Sequence, residues 1–220
     1  MKQPAWKKML SFFVDFPLES AASNLNPELQ LNLRNGRYCL TTPNAIYSYG
    51  DLYDNFRKAF KLIPLETMNI QEVLVLGFGM GSIPYMLEKI FRKNYCYTGI
   101  ERDEVIAAWA SRYVIPELRS PVTLKVMDAG AYIRSCSGKY DLIVMDIFVD
   151  DVIPSDFETP DFLTNLNRLL NENGLLLYNR LSLHKEDLQK TSVFFQKTFK
   201  AVFPRANYLD VGGNWILKNH

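Results

Sequence analysis

The chain has 220 residues, of which 48% are hydrophobic and 22% charged, and its formal net charge is +1. That length supports one domain with a sizeable core and a small appendage. The balance excludes a dominant basic field for nucleic acid and an acidic tail, and no apolar run approaches a membrane span.

The opening "MKQPAWKKMLSFFVDF" has a basic lead and a short apolar patch broken by Asp15. With no small-residue cleavage site behind it, it reads as an amphipathic segment packing on the body rather than a signal peptide. "LQLNLRNGRYCLTT" (29–42) alternates apolar residues around Asn35-Gly36, a pair suited to a tight turn with positive φ, and predicts a β-hairpin. "AIYSY" (45–49) adds a short strand. "DLYDNFRKAFKLI" (51–63) has apolar residues at helical spacing, with Asp51 near the N-cap and Pro64 closing it.

A repeating pattern begins with "EVLVLG". Strands are predicted there, over 95–101, 122–128, 140–146 and 174–181, with helices over 82–92, 103–114, 160–170 and 185–199 and a short one ending at Cys136. Runs too apolar to be one-faced, alternating with helices, imply an α/β fold with a parallel sheet covered on both sides. The end, "ANYLDVGGNWILKN", predicts an antiparallel hairpin around Gly212-Gly213. The organisation expected is an N-terminal hairpin segment over 1–50 and an α/β domain over 51–220. Three scattered cysteines, Cys39, Cys96 and Cys136, argue against a disulfide framework or a zinc site and fit a cytoplasmic protein.

Ligands of open α/β sheets bind beyond the carboxyl ends of the strands, and four of these ends carry suggestive residues. Gly77, Gly79 and Gly81 form G-x-G-x-G, which permits a tight turn and close approach of main chain to a ligand. The dinucleotide spacing G-x-G-x-x-G is not met, since Ser82 or Pro84 falls where its last glycine belongs. Glu101, twenty residues past Gly81, ends the next strand, where a carboxylate accepts from both hydroxyls of a ribose or leads the following helix. Asp128 is placed either to receive an adenine amine beside the small Ala129 or to cap a helix, or both. Asp146 ends the fourth strand, the usual position for reaction chemistry.

"VLVLGFGMGS", "YTGIERD", "VMDAGAYI" and "YDLIVMDIF", in this order, resemble class I S-adenosylmethionine-dependent transferases and, more narrowly, the spermidine-synthase-like branch. The resemblance implies a Rossmann-like class I methyltransferase fold: a mainly parallel seven-stranded sheet with an antiparallel C-terminal hairpin and a small N-terminal β-hairpin domain. It implies a cofactor site of Gly77, Phe78, Gly79, Gly81, Glu101, Arg102, Asp128 and Ala129 for S-adenosylmethionine or its decarboxylated form, with no metal. Asp146 matches the family's proposed base and Tyr53 a tyrosine beside the polyamine. The pattern departs at Met80, where aminopropyltransferases carry an acid for the cofactor amine. It departs again at Val149, where a second aspartate is usual, and at Ile46 or Tyr47, where a glutamine is expected.

A sulfonium donor departs as a neutral thioether, so the protein must supply alignment, exclusion of water and a proton acceptor for an amine. Asp146 is the candidate base, and Asp150 and Asp151 form an anionic rim for a cationic acceptor or solvate a loop. Tyr47, Tyr49 and Tyr53 either line an acceptor pocket or join the core. The expected activity is methyl or aminopropyl transfer to a small acceptor, an amine among the candidates, with no nucleic acid or membrane partner. The alternative is a cofactor-binding or oligomeric interaction protein that has lost its acceptor site. The exposed N-terminal hairpin edge makes a homodimer or homotetramer the family expectation.

Overall fold

The computed structural model describes residues 3–43, 45–149 and 151–220. A short helix α1 (Ala5–Leu10) leads into an antiparallel four-stranded sheet in the order β1-β2-β3-β4, with β1 (Phe16–Ala21), β2 (Leu29–Arg34), β3 (Arg37–Thr41) and β4 (Ile46–Ser48). The β2–β3 hairpin turns on Asn35 (φ 49°) and Gly36 (φ 71°), both in the left-handed region that a two-residue hairpin requires. Strand β1 was not legible in the sequence. Pro17 and a register shift between Pro17 and Glu19 blur its alternation, as an edge strand tolerates.

The opening segment does not bury its apolar side as expected. No residue of α1 is buried, and Trp6, Met9, Phe12 and Phe13 are exposed. Polar ties hold it instead: Lys8 Nζ reaches Glu117 at 2.7 Å, and the Asn35 N–H donates to the Ser11 carbonyl at 2.8 Å.

Asp51 is also displaced from its expected place. It is buried in a single 3-10 turn (Gly50–Leu52), ion-paired to Arg37 from β3, and helix α2 (Asp54–Leu62) starts only after Tyr53. The Arg37 guanidinium claims the carboxylate that would otherwise cap the helix.

The body alternates strands and helices: β5 (Glu72–Leu76), α3 (Ser82–Lys89), β6 (Cys96–Glu101), α4 (Glu104–Trp109), β7 (Val122–Val126), α5 (Ala129–Ser135), β8 (Tyr140–Met145), α6 (Pro160–Leu169), β9 (Leu170–Leu181) and α7 (Lys185–Phe194). A closing hairpin of β10 (Asn207–Asp210) and β11 (Asn214–Lys218) completes a seven-stranded sheet, ordered β10-β11-β9-β8-β5-β6-β7. Strands β5 to β9 run parallel, whereas β11 is antiparallel to β9 and β10 to β11.

Alternate residues of the central strands enter two separate cores. Val73 and Val75 of β5 face one with Leu142 and Val144 of β8; Leu74 and Leu76 face the other with Ile143 and Met145. Both faces being covered is why these strands read as unbroken apolar runs. His184 stands at the N-cap of α7, where its N–H donates to Asp187. No helix is long and apolar enough to cross a membrane among the described residues.

Gly99 of β6 is required by packing, because the Phe78 ring lies where its Cβ would be. Gly99→Val is expected to cost about 1–3 kcal/mol by overpacking. The check is a denaturant melt, and an unchanged midpoint would contradict the packing assignment.

Candidate active site

Strand β5 ends at the sheet's centre, with β6 on one side and β8 on the other, so the loop that follows it sits at a topological switch point. Gly77, Gly79 and Gly81 have φ values of 77°, 53° and 77°. At Gly77 the approach is closest: an added Cβ would collide with the carbonyl oxygen of Asp146. The N–H groups of Gly77 and Phe78 both donate to the Ile100 carbonyl at 3.0 Å, which ties the loop to the end of β6.

Glu101, the last residue of β6, fixes the same loop. One carboxylate oxygen accepts from the Gly79 N–H at 2.8 Å; the other accepts from the N–H groups of Arg102 at 2.8 Å and Asp103 at 3.0 Å. Burial raises its carboxyl above the ordinary range, and these backbone donors oppose that rise. Next to it, the buried Asp103 caps α4 through Val105 and Ile106 and accepts from Ser23 and Asn26, so it joins the N-terminal segment to the body.

Both expectations for Asp128 are compatible with its geometry. Its Oδ1 caps α5 by accepting from the Ala131 N–H at 2.8 Å, and its other oxygen makes no hydrogen bond among the described residues. Ala129 beside it is buried and presents no bulk.

Asp146 follows β8. Its Oδ1 accepts from Asn179 Nδ2 at 2.8 Å and from the Tyr53 hydroxyl at 3.4 Å. Burial pushes its carboxyl up to about 6, against the downward pull of those two donors. Burial and the adjacent Asp146 charge in turn hold the Tyr53 hydroxyl well above the usual phenol range, so it remains a donor.

These residues line one cleft of about 460 Å³. Its wall includes Gly77, Gly79, Glu101, Arg102, Asp128, Ala129, Asp146, Asp151 and Tyr53. Other expected site residues lie elsewhere. The Phe78 ring is buried against Gly99 and Gly81, leaving only its main chain near the cleft, and Gly81 occupies the N-cap of α3. Asp151 is exposed at the rim, within the turn that the Val149–Val152 bridge closes. Asp150 lies outside the described residues. Of the three tyrosines, Tyr47 and Tyr53 line the cleft, whereas Tyr49 accepts from Asn35 at the β2–β3 turn.

The sequence reading did not single out Asn26, Asp54, Lys58, Asn179 or Asn214, all of which reach the cleft. Asn179 carried a readable signal, a polar residue inside the apolar run "GLLLYNRL". The others come from the N-terminal segment, from α2 and from the start of β11, and gave no local sign of meeting here.

A central glycine loop, an acid at each of the next three strand ends and a closing antiparallel hairpin define a class I methyltransferase-like α/β fold. Solved structures share it. Spermidine synthase from Thermotoga maritima aligns with TM-score 0.68 at 15% identity over 92% of this chain and 72% of that one. Human methyltransferase-like protein 13, in complex with SAH, aligns with TM-score 0.59 at 22% identity over 74% of this chain and 78% of that one. At such identities the likeness concerns the fold.

The chain belongs to the spermine/spermidine synthase domain family, whose sequence model matches residues 59–211. It is 30% identical over 118 residues to a polyamine aminopropyltransferase of Vibrio vulnificus, covering 52% of this chain and 39% of that protein. It is also 28% identical over 138 residues to an N-terminal histidine N-methyltransferase of Emericella nidulans, covering 60% of this chain and 23% of that protein. The alignments thus span well under half the length of these curated relatives.

Proposed function

We propose that the chain is a transferase that holds S-adenosylmethionine, or its decarboxylated form, in this cleft and moves a methyl or aminopropyl group to a small amine. The observation that carries the reading is Asp146: a carboxylate of raised proton affinity in the same cleft as Glu101, Asp128 and the bare main chain of Gly77 and Gly79. The donor set fits a nucleoside. Glu101 is placed for ribose hydroxyls, the second oxygen of Asp128 for the adenine amine, and Ala129 leaves room for the ring. Arg102 borders the same end of the cleft.

When bound, the cofactor supplies a carbon already activated by positive sulfur. The cleft would align an acceptor nitrogen toward that carbon, and Asp146 would take the proton that this nitrogen sheds. Tyr53 and Asn179 keep the carboxylate turned toward the cleft. Asp151 at the rim, with Asp150 next to it in sequence, supplies negative charge for a cationic acceptor. The free thiols Cys39, Cys96 and Cys136 suit a reducing cytoplasm.

Position 80 favours the methyl donor. Met80 is 2% exposed and packs into the core, so nothing at that position pairs with the cofactor amine inside the cleft. The test is mass spectrometry of products from both donors with putrescine and a panel of small amines. The expected result is methylated product; aminopropylated putrescine would reverse the preference, and tight cofactor binding without any turnover would favour a non-catalytic cofactor-binding protein.

Glu101→Gln replaces an acceptor oxygen by a donor facing backbone N–H groups. Cofactor affinity is expected to fall at least roughly tenfold, the loss of one charge-assisted hydrogen bond. Calorimetry reads this directly, and unchanged affinity would remove Glu101 from the ribose site.

A further inference from the structure

Asn179 is 1% exposed on β9, in a run of leucines and a tyrosine. A buried amide in such surroundings is costly unless both of its ends are bonded. Here both are. Its oxygen accepts from Asn214 Nδ2 at 2.9 Å, and its nitrogen donates to Asp146 Oδ1 at 2.8 Å. Asn214 opens β11 in register with Leu181, two residues beyond Asn179, so the closing hairpin delivers it to this point.

The bonds run in one direction. An ionised carboxylate only accepts, so Asp146 requires the nitrogen of Asn179; that leaves its oxygen toward Asn214, which must then donate. With Asn179 and Tyr53 both on Oδ1, Oδ2 of Asp146 has no hydrogen bond among the described residues. We propose that Asn214 and Asn179 form an amide relay that fixes Oδ1 of Asp146 and leaves Oδ2 as the proton-accepting oxygen. The relay's part in group transfer rests on the reading of the cleft given above; its effect on Asp146 does not.

Both asparagines are positioning residues. By donating to the charged form of Asp146 through Asn179, the relay keeps the base ionised at a lower pH than burial alone would allow. Among the described residues, the other groups that titrate or carry charge around the cleft are Tyr47 on β4, Tyr53, Asp54 and Lys58 at and within α2, Asp151 on the loop after β8, and Glu101, Arg102, Asp103 and Asp128 at the ends of β6 and β7. None of them lies between the two amides and Oδ1. The closing hairpin therefore has a direct chemical connection to the candidate base.

The test is a carbon-13 NMR titration of the Asp146 carboxylate in the intact protein, assigned by its absence in Asp146→Asn. Asn179→Leu is expected to raise the midpoint by about one pH unit, and Asn214→Ala by on the order of half a unit. Asn214 is half-buried at the cleft edge, so its variant keeps the test alive should Asn179→Leu prevent folding. An unmoved midpoint in the folded variants overturns the relay. S-Adenosylhomocysteine binding is measured on the same samples by calorimetry. Its absence from the unaltered protein would overturn the cofactor reading, and with it the relay's part in transfer, while leaving the titration result to be judged separately.

Discussion

Asp146→Asn is expected to lower turnover by roughly two to four orders of magnitude while changing cofactor affinity only a few-fold. The amide cannot take a proton, yet its oxygen still accepts from Asn179 and Tyr53, so the cleft keeps its shape. The same substitution has a second, opposite effect. Burial raises the Asp146 carboxyl from 3.8 to about 6, so the folded protein binds this proton more tightly than the unfolded chain does. The site then contributes stability that is fully present below about pH 4 and disappears as the pH climbs through about 6. At pH 8 the charged form is a burden that asparagine removes. The variant should therefore be more stable at pH 8 by on the order of 1–3 kcal/mol, allowing for partial solvent access, and should lose that advantage toward pH 4. Activity of the unaltered protein should fall on acidification through about pH 6, as the base becomes protonated. Turnover assays and denaturant melts across this range check both halves, and a variant with normal turnover would remove Asp146 from the chemistry.

Gly77→Ala is the second large expected effect, and here folding and binding suffer together. Residue 77 has a φ of 77°, a region where a Cβ costs roughly 1–2 kcal/mol. The new Cβ would also run into the Asp146 carbonyl, a main-chain atom at the end of the central strand β8 that cannot swing aside. The sum expected is about 2–4 kcal/mol of destabilisation. Any relaxation separates the loop from β8 and moves Asp146, so cofactor affinity and turnover should fall in whatever folded protein remains. Gly79→Ala is the control, because its added Cβ meets only ordinary contacts with Ser48 at 3.6 Å, leaving the backbone strain at φ 53° alone. Equal damage in the two variants would contradict the close approach assigned to Gly77.

These two positions also show what the sequence made legible. The strand ends at Gly77 and Asp146 were readable because β5 and β8, buried on both faces, write apolar runs, and the residue that breaks each run stands at the ligand edge; Glu101 and Asp128 were readable as the acids that follow the next two strands, although β7 is a half-exposed edge. The place of the Phe78 ring was not readable, because its neighbours face the cleft while the ring fills the space over Gly99, a contact between the loop after β5 and strand β6. Asp51 looked like a helix cap by local rule, but Arg37, fourteen residues away, claims it. Strand β1 was hidden by a proline that an edge position tolerates. The Asn214–Asn179–Asp146 chain joins three strands and becomes visible only when the closing hairpin is laid against β9.

The most direct measurement is a crystal soaked with S-adenosylhomocysteine. The nucleoside is expected across the ends of β5, β6 and β7, with its ribose hydroxyls on Glu101, its adenine amine at Asp128 and its sulfur directed toward Asp146. Ligand bound elsewhere, or a cleft filled by the protein's own side chains with no ligand at all, would contradict it.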